Sequence, residues 1–111
     1  MTRAVEHRIA DILAAIERCQ QYVVTLDSGD SGLVQMAEDA VERNLQIIGE
    51  ATVHLPADVI DAHPEIPWPQ IRGFRNILVH QYFGVDIDIV RDVVETYLPP
   101  LADAVRVHLD T

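Results

Sequence analysis

Five side chains in one short stretch, Arg72, Arg75, Asn76, His80 and Tyr82, could together handle a phosphate. They fall in Ile71-Arg72-Gly73-Phe74-Arg75-Asn76-Ile77-Leu78-Val79-His80-Gln81-Tyr82-Phe83-Gly84. At about 100° per residue on a helix, Arg72, Arg75, Asn76, Val79 and His80 share one side, and Ile71, Phe74, Ile77 and Leu78 the other. Asn76 and His80 stand four residues apart, Arg72 and Arg75 three, so all four can converge on one small volume. Arg75 and His80 lie about 140° apart, at the two edges of the polar stripe. The long arginine stem can swing inward across that gap. Tyr82 returns to the edge of Arg75 if the helix continues that far. The alternative is a solvated arginine edge with no chemistry, which the spacing leaves open.

The chemistry these groups suit is RNA cleavage without a metal. A histidine with ordinary titration near neutrality can take the proton from a 2′-OH or give one to the leaving 5′-oxygen. A guanidinium at Arg75 can hold a phosphate bidentately and stabilise the charge that builds on its oxygens. Asn76 would keep His80 or a phosphate oxygen in register, and Arg72 would add an outer contact. One histidine cannot readily serve as acid and base in the same step, so a homodimer that faces two such stripes across a cleft is expected. The products would be a 2′,3′-cyclic phosphate and a 5′-hydroxyl. No metal site and no cofactor is expected.

Arg75-Asn76-x-x-x-His80 resembles the R-x-x-x-x-H motif of HEPN-domain ribonucleases, and the continuation His80-x-Tyr82 narrows the likeness. The block Ala40-Val41-Glu42-Arg43-Asn44-Leu45-Gln46-Ile47-Ile48-Gly49-Glu50-Ala51 and the Ile66-Pro67-Trp68 preceding the motif are similar to the HepT-like branch. The likeness covers essentially the whole chain. It implies a toxin of a two-gene toxin–antitoxin pair whose antitoxin is a minimal nucleotidyltransferase. It also implies Arg75 and His80 as catalytic residues, and Tyr82 as the residue to which that antitoxin transfers AMP.

The remaining sequence must position this stretch. Its 111 residues suit one domain, residues 1–111, with a modest core. Hydrophobic residues make up 49%, but only six are aromatic, so aliphatic side chains carry the packing. A single cysteine, Cys19, excludes an internal disulfide and a cysteine metal cluster. No apolar run is long enough to cross a membrane and no signal segment is seen, so a cytoplasmic location is expected. Net charge is −10, with eight arginines and no lysine. That argues against a protein that coats nucleic acid through a basic stripe, and no DNA partner is expected. It does not exclude an enzyme that meets one phosphate locally. It also fits a second class of function, an inactive HEPN-type helical module that binds its nucleotidyltransferase or only dimerises.

The periodicity predicts a first helix over Arg3–Leu26, capped by Thr2, with Val5, Ile9, Ile12, Leu13, Ile16, Cys19 and Val23 on its apolar face. Cys19 lies on that stripe and reads as a core residue. Asp27–Gly32 is a loop of turn formers. A second helix, Leu33–His54, would bury Met36, Ala37, Ala40, Val41, Ile47, Ile48 and Ala51, with Leu45 flanking. Glu38, Asp39, Glu42 and Glu50 read as a solvated acidic face, because no Glu-x-x-His pair accompanies them. Arg43 can reach the phosphate site from this helix, although a surface ion pair is the plainer reading. Pro56–Pro69 is an irregular connector with one helical turn at Ala57–Ala62; His54 and His63 read as loop histidines, and Trp68 as a core plug ahead of Pro69. Beyond Gly84, Asp86 caps a helix lined by Ile87, Val90, Val93, Val94 and Tyr97. Tyr22 and Tyr97 read as packing their rings on the bundle. Pro99-Pro100 should break or kink the chain before a terminal helix at Leu101–Leu109. The architecture is an all-α antiparallel bundle of about four main helices plus short pieces.

Overall fold

A computed structural model of the chain describes residues 3–74 and 87–109. Among them every regular element is helical, as the apolar periodicity requires. Helix α1 spans Arg3–Val23 and tightens into a 3-10 turn at Val24–Asp27. Helix α2 spans Ser31–Val53. It begins two residues before Leu33 because Asp30 caps it: the Asp30 carboxylate accepts from the backbone N–H of Gly32 at 2.9 Å and of Leu33 at 3.2 Å. The Ser28 hydroxyl accepts from the Asp30 N–H at 3.1 Å, which closes a tight turn and sets α2 antiparallel to α1.

Short helices α3, Ala57–Ala62, and α4, Trp68–Arg72, follow in the proline-rich connector. After the undescribed stretch come α5, Ile87–Asp92, a π-helical segment, Val93–Tyr97, and α6, Leu98–Arg106. These three run on as one rod. Pro99 and Pro100 therefore do not break the chain, contrary to the expectation from sequence. They occupy the first turn of α6, the position at which proline is best tolerated in a helix. A proline still offers no donor to the carbonyl one turn back and crowds it, and the widened π turn just before the pair absorbs that conflict.

Helix α1 is the central element. Its Ile9, Ile12, Ile16 and Cys19 are buried against α2 on one side and against the π segment and α6 on the other. Val41, Leu45 and Ile48 supply the α2 seam; Leu98, Leu101 and Val105 supply that of α6. Each such side chain contributes about 1.5–3 kcal/mol when fully buried. The α2 seam follows Ala37, Val41, Leu45 and Ile48, so Leu45 is core rather than flanking. Met36, about 100° away from Ala37, is 68% exposed rather than buried. With Leu33, Val24 and Tyr22 it leaves an apolar surface at the hairpin's turn, where Tyr22 is 36% exposed and lines a shallow cavity with Met36 and Ala37 of α2. Tyr97 packs inward, edge-on to Phe74 with centroids 6.1 Å apart.

Two polar residues lie on the α2 seam. Asn44 is buried and its side-chain amide donates to the Ala40 carbonyl at 2.8 Å; the Thr52 hydroxyl donates to the Gly49 carbonyl at 2.9 Å. Each satisfies itself on its own helix, so neither leaves an orphaned group in the core.

Candidate functional site

Helix α4 starts the polar stretch, and its anchoring is built from the connector upward. Pro67 precedes the first helical residue, Trp68, and Pro69 sits in the first turn, where its fixed φ suits a helix start. The Trp68 ring is buried, and its indole N–H donates to the His63 carbonyl at 3.0 Å. Trp68 is thus the core plug that its place in the sequence suggested. Ile71 and Phe74 are buried on the same side, Phe74 against Tyr97. Arg72 is exposed on the other. The division between an apolar and a cationic face is therefore present as far as Phe74. At Gly73 the backbone N–H donates to the Pro69 carbonyl at 3.0 Å, and a Cβ there would stand 3.3 Å from that oxygen, so any side chain requires the turn to give slightly.

Arg75, Asn76, His80 and Tyr82 lie outside the described residues, as do Thr2, Gly84 and Asp86. Of the five proposed site residues the structure places Arg72, solvent-facing on a helix pinned through Trp68, Ile71 and Phe74.

A second polar feature was only half legible in the sequence. Arg8 and Asp11 of α1 meet Arg43, Gln46 and Glu50 of α2 around an open groove of about 380 Å³, floored by Ile47 and Ala51. Arg43, Gln46, Ile47 and Glu50 recur at helical spacing and so face the same way. Arg43 forms no ion pair among the described residues, and neither do Arg8 or Arg72. The ion-pair reading of Arg43 is thereby corrected: no carboxylate on a described residue is paired with its guanidinium. Glu50 instead approaches His54, one turn on, at 3.6 Å.

The acidic face of α2 is less uniformly solvated than its composition suggests. Asp39 and Glu50 are exposed, whereas Glu38 and Glu42 are half-buried. Burial, and then the nearby Asp39 charge, push the Glu42 carboxyl above the usual carboxylate range. Among the described residues no three His, Cys, Asp or Glu side chains are grouped to hold a metal ion. Cys19 is fully buried, its thiol donating to the Val41 carbonyl at 3.8 Å, and burial pushes it up to about 12. That makes it inert as a nucleophile.

His63 is more than a loop histidine. Its Nε2 stands 2.9 Å from Nε2 of His108, and its Nδ1 stands 3.3 Å from the Glu65 carboxylate. The ring centroids are 5.1 Å apart, about 2.2 Å more than the two nitrogens, so the rings point at each other head-on. That is the geometry of an N–H···N hydrogen bond. A shared metal ion would instead need the two lone-pair axes to converge at an angle, about 2.0–2.1 Å from each nitrogen. The pair ties the turn after α6 to the connector that carries Trp68.

The sequence comparisons identify the family. A family model described as Ribonuclease HepT-like matches residues 12–107, a span that contains Arg72, Arg75, Asn76, His80 and Tyr82. The chain is 36% identical over 101 residues to "Probable ribonuclease HepT" of Thermococcus cleftensis, covering 91% of this chain and 92% of that one. It is 31% identical over 105 residues to a "Putative RNase" of Methanocaldococcus jannaschii, covering 95% and 96%. A second protein of that organism, named "Gamma-glutamylcyclotransferase and putative RNase", is 32% identical over 105 residues, but the chain spans only 47% of its length. No solved structure matches. A helical fold and a family match along nearly the whole chain coincide, and the chain belongs to the HepT-like family of ribonucleases.

Proposed function

We propose that this chain is a metal-independent endoribonuclease that acts as the toxin of a toxin–antitoxin pair, with Arg75 and His80 as its catalytic residues. The observation that carries the reading is the family match over residues 12–107, within which Arg75-x-x-x-x-His80-x-Tyr82 follows directly on the α4 anchor. His80 would move the proton between the 2′-OH and the leaving 5′-oxygen, and Arg75 would bind the phosphate undergoing displacement. Asn76 would hold the imidazole in register and Arg72 would contact an outer phosphate oxygen. A homodimer would bring two histidines to one cleft, so that one acts as base and the other as acid. The partner would be a minimal nucleotidyltransferase that transfers AMP to Tyr82, placing a phosphate and a bulky base where the RNA phosphate must sit.

The test is cleavage of RNA by Arg75→Ala and His80→Ala variants, with circular dichroism and melting as controls for the fold. Each should lose on the order of a hundredfold or more in rate, the usual effect of removing a contact made in the transition state. Unchanged cleavage in either variant removes that residue from the mechanism. The net charge of −10 favours a second reading, an inactive module that only holds its nucleotidyltransferase. His80→Ala separates the two, because it would abolish toxicity in the enzyme and change nothing in the module.

A further inference from the structure

We propose that the α1–α2 groove around Arg8 and Arg43 binds one ribonucleotide unit of the RNA strand, in addition to the unit at the reacting phosphate. The proposal rests on the ribonuclease reading above. Arg8 and Arg43 come from different helices, 35 positions apart in sequence, yet line one groove of about 380 Å³. That volume lies in the range of sites that hold small ligands. Both side chains are exposed and, among the described residues, neither is held in an ion pair, although the chain carries 18 carboxylates. Arg91 and Arg106 behave differently: they pair with Asp27 at 2.7 Å and Asp103 at 3.2 Å. Two guanidiniums on an open groove supply the donors that a phosphodiester accepts.

The rest of the lining selects among phosphate ligands. A bare phosphate has no use for Asp11 and Glu50, which would repel it. A ribonucleotide does, since its 2′-OH and exocyclic amines are donors that the Asp11 carboxylate accepts, whereas Glu50 is already engaged with His54. Gln46 can donate or accept through its amide. A groove that alternates donors and acceptors above the apolar floor of Ile47 therefore suits a phosphate, a ribose and a base edge together. A free mononucleotide offers the same chemistry, so strand and mononucleotide have to be distinguished by experiment.

The protein used is the full chain, with His80→Ala as background so that bound RNA survives. Arg8→Gln and Arg43→Gln keep the aliphatic stems and remove the charge. Each is exposed, so the fold should be unaffected. Fluorescence anisotropy with a short single-stranded RNA should show about tenfold weaker binding for each variant. The slope of log affinity against log salt should fall by about 0.7 for each RNA phosphate that an arginine no longer neutralises. With His80 restored, both variants should lose more in cleavage of a longer RNA than of a dinucleotide, which is too short to fill a second subsite. Unchanged affinity and slope in both variants would overturn the subsite. Equal losses on the dinucleotide would overturn it too, by placing the arginines in the catalytic machinery. Displacement of the RNA by AMP at comparable concentration would make the groove a mononucleotide pocket instead. A chain that binds RNA through Arg8 and Arg43 but never cleaves it would sustain the subsite while the ribonuclease reading fails.

Discussion

Replacing Trp68 by alanine tests the link between core and site most directly. The Trp68 ring is 5% exposed and its indole N–H is bonded to the His63 carbonyl at 3.0 Å. Truncating a buried tryptophan costs about 3–5 kcal/mol, transfer and cavity together. The carbonyl left without its donor adds about 1 kcal/mol. Against a total stability of about 5–15 kcal/mol, that is a large fraction. For a domain of this size, each kcal/mol moves the melting point by about 4–8 °C, so Trp68→Ala should melt at least roughly 12 °C below the parent. Trp68→Phe keeps most of the buried ring and removes only the donor, so about 1–2 kcal/mol is expected. Urea unfolding followed by far-UV circular dichroism measures both, and an unchanged m-value would show that the unfolded states are comparable. Cleavage should fall in Trp68→Ala even at temperatures where the variant is folded, because the helix start that carries Arg72 towards Arg75 has lost its anchor. A Trp68→Ala chain within about 1 kcal/mol of the parent would refute the reasoning: the connector would then be held by something else, and α4 would not depend on the core.

Three further outcomes follow from the same residues. EDTA should leave RNA cleavage intact apart from effects on RNA folding; loss of activity that magnesium or manganese restores would mean that the acidic residues of α2 serve as ligands. Tyr82→Phe should keep ribonuclease activity yet gain no AMP when incubated with ATP and the nucleotidyltransferase, and AMP mass increments that persist would place the modification elsewhere. Cys19, buried with its thiol raised to about 12, should resist alkylation in the native state. Because its folded value lies above the ordinary thiol value of 9.0, its stabilising effect is present below about pH 9 and is lost as the pH rises towards 12. The fall in stability over that window should be shallower in Cys19→Ala than in the parent, and equal slopes would contradict the assignment.

The apolar face of α1 could be read from the sequence because burial of Ile9, Ile12, Ile16, Cys19 and Val23 follows the helical period, with Leu13 at its edge half-buried. The same rule misled at Met36, where two apolar neighbours compete for one seam and the smaller Ala37 takes it. It was also blind to Asn44, a polar residue on the seam that bonds to its own helix. Proline reads clearly as a break, yet Pro99-Pro100 sits within a rod, because a wide turn is a tertiary solution that local propensity does not encode. The candidate site divides in the same way. The spacing of Arg72, Arg75 and His80 is local and visible. The groove of Arg8 and Arg43, and the bond from His63 to His108 across 45 positions, exist only once the helices pack.

The acidity of the chain then takes on a different meaning. A polyanionic substrate and a protein of net charge −10 should repel, and a count of charges gives no reason for them to meet. At physiological ionic strength, however, exposed charges farther apart than about 8 Å scarcely feel one another. What an RNA phosphate meets is therefore set by the few groups within that distance. Arg91 and Arg106 are spent on surface pairs that stabilise little and offer nothing to a ligand. Arg8 and Arg43 on the α1–α2 groove and Arg72 on α4 are not so spent among the described residues, and they sit on two helices that pack together and on one that begins at the buried Trp68. The carboxylates that dominate the total would then keep RNA off the rest of the surface, while these arginines give it places to bind. On the ribonuclease reading, the acidic balance is compatible with local recognition at these arginines.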